Sequence, residues 1–209
     1  ISIRVLQAIS PPFAQEWATR FGFEAEKHPA YLTMALGAGS TTPLQMASAY
    51  GVFASGGYLV APRLIERLTD SQGRVLLQAA PPGLDESMRT LDARNAFVMT
   101  SLLQEVTRSG TAARAQASLK RTDIYGKTGT TNDSMDAWFA GWHPSVVAVV
   151  WIGHDNPKKL GDRETGGTVV DDRTHVLADV GMVRRVLDHF HVEDDADLAK
   201  LRLGHLHHR

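Results

Sequence analysis

Residues 123–152, DIYGKTGTTNDSMDAWFAGWHPSVVAVVWI, contain three strand candidates in a row: Asp123 to Thr130, Met135 to His143 and Val146 to Ile152. The last is a continuous apolar run, as expected of a strand buried on both faces. His143-Pro144-Ser145 is short enough to close an antiparallel hairpin between the second and third. Trp138 and Trp142, four residues apart, fall on one face of their strand, which predicts core packing for both.

The first of these strands carries Gly126-Lys127-Thr128-Gly129-Thr130-Thr131. On a strand at a sheet edge, the Lys127 ammonium supplies a positive charge, and the hydroxyls of Thr128 and Thr130 can bind a carboxylate. Gly129 leaves the strand bare for a substrate backbone to lie against. An unpaired N–H of Thr130 can face a developing oxyanion. The competing reading is a Thr-rich strand with one exposed lysine. A phosphate-binding P-loop requires G-x-x-x-x-G-K-[ST], and Arg121 stands where its first glycine belongs.

Working outward, Ile1, Val5 and Ile9 are spaced as in the middle of a helix, and Pro11-Pro12 breaks it. A short helix runs to about Phe21 and Gly22 ends it. Residues 28–42 read as loop. Pro43 then opens a helix after Thr41-Thr42, with Leu44, Ala47, Tyr50 and Phe53 on one face and Gly56-Gly57 at its end. Tyr58 to Thr69 and Arg74 to Gln78 predict two strands joined by Asp70-Ser71-Gln72-Gly73. Residues 90–107 predict a helix with Ala96, Met99, Leu102, Leu103 and Val106 as its apolar stripe. Helices and antiparallel strands come in groups, so the class is α+β, an antiparallel sheet packed against helices.

The chain has 209 residues, with 22 Lys and Arg against 23 Asp and Glu, a formal net charge of -1. That balance gives no support to nucleic-acid binding by blanket phosphate neutralisation. No apolar run approaches the roughly 18 residues of a membrane span. With no cysteine there are no disulfides and no thiolate chemistry. No cofactor or metal is expected. His189, His191 and His205-Leu206-His207-His208 invite a metal reading, but no ligand set surrounds them. His154-Asp155 follows a buried strand and reads as a surface turn, and Asp194-Asp195-Ala196-Asp197 as a solvated charge run. All nine prolines and all four tryptophans precede Gly167, while six of nine histidines follow it. This shift divides the chain into 1–167 and a tail, 168–209. In the tail Val176, Val180, Val183, Leu187 and Phe190 predict one amphipathic helix.

K-T-G-T-T followed by N-D-S-M-D-A-W-F-A-G-W resembles the third active-site motif of penicillin-binding proteins and the strand after it. YLTMALGAGSTTPLQMASAYGVFASGGYLVAPRLIERLTDSQGRVL (31–76), SGTAARA (109–115) and VAVVWIGHDNP (147–157) are similar to segments of the class A, bifunctional members. The resemblance covers 1–167. It implies a partial penicillin-binding protein/serine β-lactamase-like fold and a D,D-transpeptidase that cross-links peptidoglycan stem peptides and is acylated by β-lactams. It assigns Lys127 to proton traffic and charge, and Thr128, Gly129, Thr130 and Thr131 to substrate binding. It further implies a place on the periplasmic side of a bacterial inner membrane.

The family's other two motifs are missing. No serine has lysine three positions on; Ser118 is followed by Arg121. Ser134-Met135-Asp136 looks like S-x-D, but it follows K-T-G, whereas the family's S-x-N precedes it. The resemblance therefore implies that the nucleophile, its lysine and the second-motif serine lie in an N-terminal half upstream of Ile1, that this half is a partner of the present chain, and that the chain alone forms no acyl-enzyme. The alternatives are part of a β-lactamase or β-lactam sensor, against which the strings from 31 to 77 argue, and a non-catalytic remnant or binding module.

Overall fold

The computed structural model describes residues 1–161, 165–167 and 179–184. Helices α1 (Ser2–Ile9) and α2 (Pro11–Thr19) pack against one another. Ser10 divides them at φ 73°, and its hydroxyl accepts from the Phe13 N–H, so the prolines open α2 where no amide donor is needed. Helix α3 (Pro43–Ala54) starts on a full capping box. The Thr42 hydroxyl accepts from the Gln45 N–H, and the Gln45 side chain accepts from the Thr42 N–H. Two short 3-10 turns follow α2: Ala25–Lys27 just before the expected loop of residues 28–42, and Leu32–Leu36 within it.

Only Arg67–Thr69 (β1) and Val75–Gln78 (β2) form the small hairpin, so the strand expected from Tyr58 is much shorter. Pro62 lacks a donor within that stretch, and Tyr58 instead makes a single bridge to Arg89. The Arg89 guanidinium lies 4.2 Å over the Tyr58 ring and grips Glu86 through Nε and Nη2 at 2.6 and 2.8 Å. The Tyr58 hydroxyl donates to the same carboxylate at 2.9 Å. Helix α4 (Ala93–Arg108) is capped by Asp92, which accepts from the Arg94 N–H. A further helix, α5 (Ala113–Leu119), occupies a stretch not expected to be helical.

The main sheet is antiparallel throughout, in the order β3 (Tyr125–Thr130), β4 (Ala137–His143), β5 (Val146–Ile152) and β6 (Asp179–Arg184). β6 lies where an amphipathic helix was expected; the remainder of that helix, and the tail histidines, fall outside the described residues. Pairing with β6 satisfies the edge of β5, with Val150 opposite Val180 and Val147 opposite Val183.

The two faces of the sheet are built by strand alternation. On the first, Ala140, Trp142, Val147 and Val149 meet Ala47 of α3 and Leu103 of α4. Trp142 stacks on Tyr125 and Phe53 at 5.2 and 5.9 Å between ring centres, so the expected core role holds for this tryptophan. On the second, Ala137, Phe139 and Ile152 meet Ile124, Ala112 and Val106. Each large apolar side chain so buried contributes roughly 1.5–3 kcal/mol. Thr107 of α4 is fully buried and its hydroxyl lies 2.5 Å from the Ile124 carbonyl, tying α4 to the start of the motif strand.

Candidate active site at the sheet edge

Among the described residues β3 is the outermost strand of its sheet, paired with β4 through Lys127–Ala140, Thr128–Phe139, Gly129–Trp138 and Thr130–Ala137. The Thr131 N–H donates to the Asp136 carbonyl at 3.0 Å, one pair beyond the strand. Ladder bonds alternate along an antiparallel pair, so Gly129 and Lys127 bond to β4, while the backbone N–H and C=O of Thr128 and Thr130 turn outward. The edge thus presents the Thr130 N–H. It also presents the Thr128 carbonyl, which accepts from Lys127 Nζ at 2.7 Å.

The motif side chains divide between the two faces. Lys127 and Gly129 share the first face with Ala140 and Trp138. Here a cavity of about 600 Å³ lies between β3 and the 36–43 loop. Ser40, Thr41, Met46 and Tyr50 wall it on one side, and Trp138 and Trp151 on the sheet side. Trp138 is therefore a cavity wall as well as a packing residue, its ring 6.0 Å from that of Trp151. The Trp151 indole donates to the Asp136 carboxylate at 2.8 Å. Burial pushes the Tyr50 phenol up to about 12, so it stays a neutral hydroxyl at the wall.

A Cβ at Gly129 would lie 3.4 Å from Trp138 Cβ and touch nothing nearer, so packing does not demand glycine there. At Gly126 the same atom would lie 2.7 Å from the Ala140 carbonyl oxygen and 2.8 Å from Phe139 Cζ. Gly126 is a packing glycine. Gly129 leaves the strand bare toward the cavity.

Thr128 and Thr130 point to the second face. The Thr128 hydroxyl lies 2.6 Å from that of Thr111, in the turn between α4 and α5. The Thr130 hydroxyl accepts from the Gly166 N–H at 2.9 Å. Gly166 packs so tightly over the ladder that a Cβ there would lie 2.5 Å from the carbonyl oxygens of Gly129 and Trp138. Nothing local in the sequence marks Thr111, within SGTAARA, or Gly166 as part of a site.

Thr131 differs from the two other threonines. Its hydroxyl accepts from the Asp136 N–H at 2.7 Å and so closes the loop between β3 and β4. In that loop Asp133 and Ser134 both have positive φ, and Asp133 pairs with Lys159 at 3.2 Å. His154-Asp155 sits in the segment after β5, away from the cavity lining. Among the described residues no group of three or more His, Asp or Glu is placed to hold a metal, and no helix is long and apolar enough to cross a membrane.

Residues 8–174 match the family described as the penicillin binding protein transpeptidase domain. The chain is 49% identical over 170 residues to penicillin-binding protein 1A of Neisseria flavescens, covering 81% of this chain and 21% of that one. It is 40% identical over 215 residues to penicillin-binding protein 1A of Pseudomonas aeruginosa, covering 81% and 26%. It spans about a fifth to a quarter of the length of these curated relatives. Among solved structures, penicillin-binding protein 1A from Haemophilus influenzae superposes with a TM-score of 0.71 at 34% identity, over 81% of this chain and 30% of that one. PonA1, a penicillin-binding protein from Mycobacterium tuberculosis, shares the fold at a TM-score of 0.58 and 24% identity, over 76% and 46%. With Lys-Thr-Gly on an outer strand, an outward Thr130 amide and a match over most of its length, this chain belongs to the transpeptidase domain family of the penicillin-binding proteins.

Proposed function

We propose that the chain supplies the Lys-Thr-Gly wall of a D,D-transpeptidase site that cross-links peptidoglycan stem peptides and is acylated by β-lactams. The observation that carries this is the edge of β3: an outward Thr130 N–H, two threonine hydroxyls on one face, and a Gly129 that packing leaves free. This reading requires the serine nucleophile and the S-x-N serine to come from sequence outside these 209 residues, because neither S-x-x-K nor S-x-N occurs within them. The whole polypeptide works on the periplasmic side of the inner membrane, where peptidoglycan is found.

The serine oxygen attacks the carbonyl carbon of the penultimate D-alanine. The peptide C–N bond breaks and the terminal D-alanine leaves with a proton on its nitrogen. An amine of a neighbouring stem peptide then attacks the ester and restores the serine. In this scheme the Thr130 N–H stabilises the oxyanion of each tetrahedral intermediate. The hydroxyls of Thr128 and Thr130 receive the terminal carboxylate, and the Lys127 ammonium holds the positive charge that attracts it. Gly129 lets the peptide backbone approach the strand, and Thr131 keeps the loop that ends the strand closed.

The test is D-alanine release from an acyl-D-alanyl-D-alanine peptide by the complete polypeptide that the gene encodes. Release that falls at least about 100-fold in Lys127→Ala is the expected result, the order seen when a stabilising charge is lost from a transition state. No release by the unsubstituted polypeptide, or full activity in Lys127→Ala, overturns the reading.

A further inference from the structure

We infer that Thr111 is a positioning residue for the carboxylate of the substrate, acting through Thr128. The inference rests on the transpeptidase reading above. A threonine hydroxyl has one proton to give and two lone pairs to receive with. To bind a carboxylate, Thr128 and Thr130 must both spend that proton on the ligand.

For Thr130 the structure arranges this directly. The Gly166 N–H donates to its oxygen at 2.9 Å, and a backbone amide cannot accept, so the Thr130 proton is turned away from Gly166 and is free. For Thr128 the partner is another hydroxyl, Thr111 Oγ1 at 2.6 Å, and either oxygen can donate. If Thr128 donates, its proton is consumed inside the protein and only a lone pair faces the ligand, which repels an anion. If Thr111 donates, the Thr128 proton is released toward the ligand. A carboxylate selects the second arrangement, and the chain Thr111 O–H to Thr128 O–H to carboxylate strengthens each bond by polarising the next.

The turn that orients Thr130 also packs on Thr111. A Cβ on Gly167 would lie 2.8 Å from the Thr111 carbonyl oxygen, next to the Gly166 amide that holds Thr130. One small cluster on the second face therefore aims both hydroxyls. Thr111 is exposed, and among the described residues its hydroxyl meets that of Thr128.

The experiment compares wild type, Thr111→Val and Thr111→Ser in the complete polypeptide encoded by the gene. The second-order acylation rate is measured with benzylpenicillin and with its methyl ester, which has no carboxylate charge. The expected result is a fall of about tenfold or more for Thr111→Val with benzylpenicillin, the order set by one hydrogen bond to a charged group. The methyl ester rate should be unchanged, and Thr111→Ser should restore the benzylpenicillin rate. Equal falls with both compounds would assign Thr111 to the fold alone and overturn the inference. No fall with either would also overturn it. Failure of wild type to react with either compound would instead strike at the transpeptidase reading, and the inference would fall with it.

Discussion

Substituting the two glycines of the motif strand by alanine should separate packing from function. At Gly126 the added methyl would meet the Ala140 carbonyl oxygen at 2.7 Å, Phe139 Cζ at 2.8 Å and Gly141 Cα at 3.0 Å. Two of these contacts are backbone atoms of the paired strand, so the ladder itself must shift. Overpacking of this kind costs about 1–3 kcal/mol. With a urea dependence of about 1–3 kcal/mol per molar, the unfolding midpoint should fall by roughly 1 M. At Gly129 the methyl would lie 3.4 Å from Trp138 Cβ and 4.0 Å from its Cγ, ordinary contact, and φ there is not in the left-handed region. Restricting the unfolded chain then offsets what little strain arises, by about 0.4–1 kcal/mol. The midpoint of Gly129→Ala should stay level or rise slightly. The same methyl projects toward the cavity where a substrate backbone would lie, so acylation by benzylpenicillin should fall about 100-fold, the effect of roughly 3 kcal/mol of clash in the transition state. The assay pairs urea unfolding, followed by tryptophan emission, with acylation rates, both on the complete polypeptide. Early unfolding of Gly129→Ala, or unimpaired acylation by it, would refute the assignment of Gly129 to the ligand.

Three further outcomes follow from particular contacts. Thr107→Val keeps the shape of a fully buried side chain but leaves the Ile124 carbonyl without its 2.5 Å partner, so it should cost about 1–3 kcal/mol in thermal or urea unfolding, whereas Thr107→Ser should cost less. The Arg89 guanidinium and then the Tyr58 hydroxyl hold the Glu86 carboxyl down at about 2. The stability that this clamp gives is present above pH 4.5 and lost as pH falls through 2, so Glu86→Gln should flatten that part of the acid unfolding curve; an unchanged curve would exclude the clamp as its cause. Burial raises the Tyr50 phenol to about 12, so stability present below pH 10 should decline by about 3 kcal/mol as pH rises through 12. Tyr50→Phe should remove that alkaline slope, as read by circular dichroism.

Strands β4 and β5 are legible because both are rich in apolar residues and a short turn, Pro144-Ser145, joins them; β3 is legible from the Gly-Lys-Thr-Gly-Thr stretch beside them. The strand expected from Tyr58 to Thr69 is confined to Arg67–Thr69, since Pro62 has no amide to give to a ladder. Helix α5 is not legible in the sequence because it is seven residues long, has Ala112 as an N-cap with no side-chain cap, and is held by the burial of Ala115. The 4-3 spacing of valines after 176 fits a helix, yet Val180 and Val183 sit in a strand, because the open edge of β5 offers backbone partners that no local pattern reveals. Lys127, Thr128, Gly129 and Thr130 could be picked out from K-T-G-T and strand geometry alone. That Lys127 and the two hydroxyls project to opposite faces of the strand follows from period-two alternation, although Thr128 and Thr130 also border the cavity. The contacts that aim the hydroxyls do not, since Thr111 and Gly166 come from 17 and 36 residues away in sequence. Nor could the sequence show that the Thr131 hydroxyl is spent on the Asp136 amide.

The most direct test of the transpeptidase assignment is to treat the complete polypeptide with benzylpenicillin, measure its intact mass and map the modified peptide. One bound penicillin on a serine outside residues 1–209, with no label on the 209-residue chain alone, is the expected result. A label on any residue between Ile1 and Arg209, or no label at all, would contradict it.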